Sequence, residues 1–426
     1  MVHILEDFKD FIDQSPTSYH AAQEIAERLA SQDFQPLDEK EEWQLKKGGR
    51  YFAMRGGSLC AFSLPSSTLE KATILGSHTD SPALKIKPHS DFTSQNMSLV
   101  GAEVYGSPLL SSWLNRDLSI AGRVVVSDVR DNLEEKLVWL DDAPLSIPQL
   151  AIHLDREVND KGLLLNKQEH LASLAGFRKE NEESGSSYLE RVLRRHISYK
   201  KLYSFDLFLV PMEPARFLGE DGEFFSSYRL DNLASAHACV TAMGLEPASH
   251  PDNLSMAMFW DHEEIGSRTT DGAASPFLHD VLHRIGLLYS LGEESFIRFK
   301  AKSFFLSLDV AHGFNPNYKK KYEPHHLPLL GSGIVLKYNV DQKYASTAPT
   351  AALIAQAATA IQLPYQSYVA RGDMNSGSTL GPIVAHQMGI PTVDIGVPLL
   401  SMHSIREIIA CRDQLDMYTL LTALLQ

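Results

Sequence analysis

Two adjacent carboxylates, Glu263 and Glu264, follow directly on the apolar run Leu254-Ser255-Met256-Ala257-Met258-Phe259, within Trp260-Asp261-His262-Glu263-Glu264-Ile265-Gly266-Ser267. Neighbouring acids at the mouth of a strand repel one another unless a cation sits beside them or both face water. On its own the pair also fits a solvated acidic loop. Three further apolar runs, however, end in residues that ligate metals. Lys71-Ala72-Thr73-Ile74-Leu75 leads to His78 and Asp80, Ser303-Phe304-Phe305-Leu306-Ser307-Leu308 to Asp309, and Thr392-Val393-Asp394-Ile395-Gly396-Val397 to His403. A further acid, Asp231, opens Arg229-Leu230-Asp231-Asn232-Leu233 ahead of a helical run.

In open α/β sheets, ligands bind beyond the carboxyl ends of the strands, so groups distant in sequence converge there. The chemistry these side chains suit is a two-metal centre. Zinc, cobalt and manganese accept mixed imidazole and carboxylate shells. One carboxylate can bridge ions about 3.5–4 Å apart, and such a pair activates water and polarises a carbonyl. The expected arrangement has Asp231 as the bridge, with His78 and Asp309 completing one metal and Glu264 and His403 the other. Glu263 points away from its neighbour and is the expected general base on the metal-bridging water. Asp80, two residues from His78, is expected to orient that imidazole. Taken singly, each residue has a plainer reading: His78-Thr79-Asp80 as a turn pair, Asp231 as a helix cap, Asp309 as a turn acceptor, His403 as a cap or core histidine. Five such coincidences at strand ends are less economical than one site.

The same residues lie in longer motifs. Gly76-Ser77-His78-Thr79-Asp80-Ser81-Pro82, Tyr228-Arg229-Leu230-Asp231-Asn232-Leu233, Glu263-Glu264-Ile265-Gly266-Ser267 and Met402-His403-Ser404-Ile405-Arg406-Glu407 resemble those of the aspartyl aminopeptidases, the M18 metallopeptidases, in their bacterial branch. Ser15-Pro16-Thr17-Ser18-Tyr19-His20, Arg116-Asp117-Leu118, Ala151-Ile152-His153-Leu154 and Ala311-His312 extend the resemblance over nearly the whole chain. The resemblance implies removal of N-terminal residues, preferentially Asp or Glu, from peptides by two zinc-site metals. It places the ligands and base on the residues above. It also implies a β-rich dimerisation domain inserted in the catalytic domain, His153 reaching the active site of a partner subunit, Lys337 favouring acidic side chains, and dimers assembled into a tetrahedral dodecamer. Without the resemblance, His153 reads as a buried histidine between Ile152 and Leu154, and Lys337 as an edge lysine whose amine reaches water. The chain departs from the eukaryotic pattern at Asp261-His262 and near Arg371-Gly372-Asp373. A bimetallic deacylase or dipeptidase acting on N-acyl amino acids is the competing reading, and a catalytically silent scaffold is a third.

The elements that must hold these groups give a zinc-peptidase-like α/β fold, a mixed sheet sandwiched by helices. Ile4, Leu5, Phe8, Phe11 and Ile12, then Ala21, Ala22, Ile25, Ala26 and Leu29, keep helical spacing. Tyr51-Phe52-Ala53-Met54 and Leu59-Cys60-Ala61-Phe62 flank Gly56-Gly57, a hairpin pattern. From about Phe92 to Ser227 the texture becomes short β runs such as Gly122-Arg123-Val124-Val125-Val126, and Gln168 to Lys201 reads as an exposed loop and helix. The expected division is therefore a catalytic domain at 1–91 and 228–426, with an insertion at 92–227.

A chain of 426 residues holds one large core and a second module. Its net charge of −14 argues against a nucleic-acid partner. The same charge repels acidic peptides, so any acidic preference must come from local cations. Cys60, Cys239 and Cys411 in apolar surroundings predict reduced thiols and a cytoplasmic protein. Met1-Val2-His3-Ile4-Leu5-Glu6-Asp7 lacks the apolar core of a secretory signal, and no run approaches the roughly 20 apolar residues of a membrane span.

Overall fold

A computed structural model describes residues 2–178, 187–244 and 251–425. The chain divides into two compact units, one comprising Met1–Asp80, Ala215–Met402 and Glu407–Gln426, the other Ser81–Pro214 and His403–Arg406.

The first unit is built on a nine-stranded mixed sheet. Its centre is four parallel strands, in the order Asn253–Trp260, Lys71–His78, Phe304–Leu308 and Thr392–Gly396. The expected hairpin, Arg50–Arg55 with Ser58–Ser63, joins one side through an antiparallel pairing to Asn253–Trp260, with Gly56 at φ +58° in its turn. Ile334–Tyr338 and Tyr365–Val369 extend the other side.

Alternation along these strands explains the helical layer on each face. Leu75, Ala257, Phe259, Leu306 and Leu308 pack into one core with the helices Val2–Asp13, Ser18–Ala30, Leu230–Gly244 and Cys411–Leu425. Ile74, Leu254, Met256, Met258 and Phe305 face a second core with Phe277–Leu288, Glu293–Lys302 and Leu380–Met388. A strand buried on both faces is continuously apolar, which is why these runs lack the polar alternation of a half-exposed sheet. A separate five-stranded sheet holds Arg216–Leu218, Phe224–Ser227, Glu407–Ala410, Pro398–Leu400 and Ala311–His312.

The second unit is an antiparallel six-stranded sheet in the order Leu133–Leu145, Leu118–Ser127, Lys201–Pro211, Ala83–Ser94, Met97–Tyr105 and Ser173–Phe177. Of the stretch Gln168 to Lys201, residues 179–186 lie outside the described residues. The helix within it runs Tyr188–His196 and is capped by the Ser187 hydroxyl, which accepts from the Glu190 amide. Among the described residues no helix is long and apolar enough to cross a membrane.

Candidate metal centre

Register brings the first groups together. Trp260 pairs with His78 across two parallel strands, so the imidazole and the acids after Trp260 leave the sheet at the same end. Past Trp260 the chain takes a left-handed residue at His262 (φ 64°), one 3-10 turn over Glu263–Ile265, and a second left-handed residue at Gly266 (φ 97°). That tight reversal projects both glutamates back across the strand ends. Asp231 stands on the two non-helical residues that open the helix Leu230–Gly244, and the Asp231–Asn232 peptide is cis. Its amide donates to Glu407 Oε2 at 2.9 Å, and the Asn232 side chain donates to the Leu308 carbonyl at 2.7 Å, tying this corner to the strand that ends before Asp309.

The carboxylates converge on His78, which is 1% exposed. From its Nε2 atom, Asp231 Oδ1 lies at 3.4 Å, Asp309 Oδ1 at 3.9 Å and Glu263 Oε2 at 4.0 Å. Ligand atoms of His78, Asp231 and Asp309 lie within 4.8 Å of one another, as do those of His78, Glu263 and Glu264. Two donors on a tetrahedral ion, each about 2.0–2.2 Å from it, sit roughly 3.3–3.6 Å apart. The imidazole–Asp231 spacing meets that condition and the Asp309 spacing is a few tenths of an ångström longer, so the donor set fits a divalent cation of the zinc class.

Asp80 holds the arrangement from below. Its carboxylate accepts the Glu263 amide at 3.0 Å and the Glu264 amide at 3.1 Å, one on each oxygen. The same carboxylate lies 3.4 Å from His78 Nδ1, and the Asp80 carbonyl is 3.0 Å from that nitrogen. Asp80 therefore positions three of the groups, where its spacing predicted one. Keeping Nδ1 toward oxygen acceptors turns Nε2 to the acids, the orientation a metal-binding histidine needs.

Burial and the crowding of carboxylates set the electrostatics of the pocket. Burial opposes charge on His78, but hydrogen bonds to the carboxylates of Asp231, Asp309 and Asp80 prevail and hold its pKa well above the ordinary value. Burial pushes Glu263 up to about 8, with the His78 charge opposing and Asp309, Asp80 and Asp231 reinforcing. Glu264 is raised well above the usual range by burial and then by Asp231. Burial and the closeness of neighbouring carboxylates thus favour the neutral forms of the two glutamates.

That ammonium belongs to Lys337. The plainer reading as an edge lysine is corrected, because its strand lies between Thr392–Gly396 and Tyr365–Val369 and the residue is 2% exposed. Its Nζ donates to the Val310 carbonyl at 3.0 Å, lies 3.7 Å from Asp309 Oδ2, and stands 5.2 Å from the centre of the Tyr344 ring.

His153 and His403 belong to the second unit. His153 lies in an exposed turn with Ile152 and Leu154, which corrects its reading as a core histidine. His403 takes φ 67°, sets Nδ1 3.0 Å from the Ser107 carbonyl, and accepts the Leu109 amide at its own carbonyl.

Three residues of the first unit went unassigned in the sequence reading. Glu407 receives the Asp231 amide. Arg229, buried and left-handed at φ 68°, donates to the Pro16 and Thr79 carbonyls behind the His78 strand end. Asp394, fully buried, accepts the Ala345 amide at 2.6 Å and the Thr379 hydroxyl at 2.5 Å, beside Lys337. A charged residue inside the apolar run Thr392–Gly396 was the available signal for Asp394.

Comparison with known proteins gives concordant matches. The family model described as aminopeptidase I zinc metalloprotease (M18) matches residues 11–425. A probable M18 family aminopeptidase 2 of Azotobacter vinelandii is 39% identical over 422 residues, covering 97% of this chain and 96% of the relative. Aspartyl aminopeptidase 4 of Saccharomyces cerevisiae is 37% identical, covering 94% and 90%. A chain in the cryo-EM structure of the Ape4 and Nbr1 complex superposes with a TM-score of 0.93 at 35% identity, covering 99% of this chain and 85% of that one. The Saccharomyces cerevisiae mApe1 dodecamer gives 0.84 at 27% identity, with 99% and 95% covered.

Proposed function

The chain belongs to the M18 family of zinc metallo-aminopeptidases, and from that premise we propose that it releases N-terminal residues, Asp or Glu foremost, by a two-metal mechanism with Glu263 as general base. The observation that carries the reading is the cluster on His78 Nε2, with Asp231 at 3.4 Å, Asp309 at 3.9 Å and Glu263 at 4.0 Å, in which Asp80 grips the backbone of the two glutamates.

His78, Asp231 and Asp309 would hold one ion, and Asp231, Glu264 and His403 the second. Zinc is the first choice on the family description, with cobalt or manganese chemically compatible. Bound divalent ions supply Lewis acidity, polarising the scissile carbonyl and lowering the pKa of water. Glu263 takes the proton from the attacking water and delivers it to the departing amine. Asp80 keeps the base at a fixed distance through the backbone amide of Glu263. Lys337, a buried cation beside Asp309, provides the charge that an acidic first side chain would meet. His153 of a second copy acts on the same site by resemblance, and its exposure within its own chain is consistent with that role.

The insertion expected at 92–227, most of which falls in the unit Ser81–Pro214, is read as the dimerisation domain, and the mApe1 dodecamer is the model for assembly. Buried, unpaired thiols at Cys60, Cys239 and Cys411 suit a reducing, cytoplasmic setting.

The test is a panel of aminoacyl arylamides and their N-acetyl analogues, assayed after chelation and after return of zinc, manganese or cobalt. The expected result is metal-restored turnover of free-amine substrates, fastest for Asp or Glu, with the acetylated forms inert. Turnover of the acetylated substrates would instead establish a deacylase.

A further inference from the structure

Against a net charge of −14, three consecutive lysines stand out. Lys319, Lys320 and Lys321, all exposed, close the 3-10 segment Pro316–Lys321. The segment is firmly constructed. The Asn315 side chain caps it by accepting the Asn317 amide at 3.0 Å, and the Tyr322 hydroxyl donates to the Gly313 carbonyl at 2.7 Å while accepting the Asn315 amide at 3.0 Å. The Arg371 guanidinium, in the loop after Tyr365–Val369, donates to the Lys320 carbonyl. Further along that loop the Ser376 carbonyl accepts Lys343 Nζ at 3.1 Å. Lys343 immediately precedes Tyr344, whose ring faces the Lys337 ammonium. Tyr344 and Tyr368 then stand 6.2 Å apart, and Tyr368 and His312 6.0 Å apart, ring to ring. A short chain of contacts thus links the lysine run to the buried cation of the site.

We propose that Lys319, Lys320 and Lys321, with Arg371 and Lys343, form a cationic rim that attracts acidic residues downstream of the first residue of a peptide substrate. The inference rests on the aminopeptidase reading above and extends it from the first side chain to the rest of the peptide. Two acids in this rim are already engaged. Asp373 is held by Arg371 at 2.7 Å and feels Lys321, and Glu323 accepts from His325 and His326. The net negative charge of the whole chain is spread over its surface and screened beyond about 8–10 Å at ordinary ionic strength. Within that range the three exposed ammonium groups lie next to one another in sequence, with the nearby acids Asp373 and Glu323 already engaged. A locally positive approach raises capture rates for acidic ligands by roughly 10-fold or more at low salt.

The experiment uses the full-length, metal-loaded enzyme and two peptides, Asp-Ala-Ala-Ala and Asp-Ala-Glu-Glu, with kcat and KM followed as salt is raised. The wild type is expected to favour the acid-tailed peptide by about 10-fold in kcat/KM at low salt, with the advantage shrinking as salt rises. The triple Lys319→Gln, Lys320→Gln, Lys321→Gln variant should bring the two peptides towards parity through KM, with kcat held. The corresponding triple Lys→Arg variant should keep the preference. An undiminished advantage and salt response in the Gln variant, or equal losses on both peptides, overturns the rim. Failure of the wild type to release aspartate from either peptide is a different result, and it removes the acidic first-residue preference together with this inference.

Discussion

Two histidines, His78 and His237, are equally buried at 1% exposed, yet their surroundings push them in opposite directions. His237 packs against the rings of Phe8 and Phe11 and places Nε2 2.8 Å from Asp7 Oδ2. Arg28 meets both oxygens of the same carboxylate at 2.7 and 2.8 Å. Burial dominates there and lowers the His237 pKa, while the hydrogen bond from His237, aided by Arg28, draws Asp7 down to about 2. That clamp closes its own charge account with one acid and one guanidinium. Around His78 the acids outnumber the positive groups, and the imidazole pKa rises. A buried histidine whose charges balance locally is a fastening between helices; one left with surplus carboxylate marks a place where a cation from outside completes the structure.

The sharpest way to break this contrast is at the surplus itself. Replacing Glu263 by Gln should cut kcat by about 10²–10⁴-fold while metal content, read by elemental analysis, stays near wild type. Asp231→Asn should lose metal as well as activity. Mixing Glu263→Gln subunits with His153→Ala subunits should restore part of the rate; mixed dimers that stay inactive dispose of the trans-acting histidine. Next in size is Asp80→Asn, which keeps the shape but weakens acceptance of the two amides. It should reduce metal affinity or activity by about 10–100-fold, measured by competition with a chelating dye. Wild-type affinity in that variant would leave Asp80 without the positioning role given to it.

The smallest effect tests the clamp. The folded pKa of His237 lies below its unfolded value, so as pH falls below about 6.5 the unfolded chain takes up a proton first and stability declines. Asp7 adds a second loss as pH drops from the ordinary carboxylate range towards about 2, because its charge is favoured in the folded state. Thermal melts between pH 7 and 5 should show a fall in Tm of a few degrees in the wild type. His237→Gln should flatten that window. An unchanged slope would place the acid sensitivity elsewhere.

The strands bearing the candidate site were legible because parallel strands covered on both faces read as unbroken apolar runs, and chemistry-bearing residues at their ends stand out. The double grip of Asp80 was not. The spacing of His78 and Asp80 shows nearness along the chain only, whereas the amides of Glu263 and Glu264 arrive from 183 and 184 residues away. The burial of Lys337 was out of reach for a related reason, since strand order is absent from sequence and decides whether a strand lysine meets water. His153 misled through its neighbours. Ile152 and Leu154 are apolar, but they are 46% and 75% exposed, and hydrophobic residues are common on surfaces.

The pairing of Trp260 with His78 also limits how this chain can change length. Side chains alternate along a strand, so one residue added between Ala72 and Ser77 would turn the imidazole to the opposite side and advance everything behind it. A deletion there acts in the same way, and no later correction recovers both facing and distance. Drift by insertion or deletion is therefore confined to exposed connections such as residues 129–132, where spacing is set by a turn. Length polymorphism among descendants of this sequence would map the periphery of the site and leave the strands unaltered.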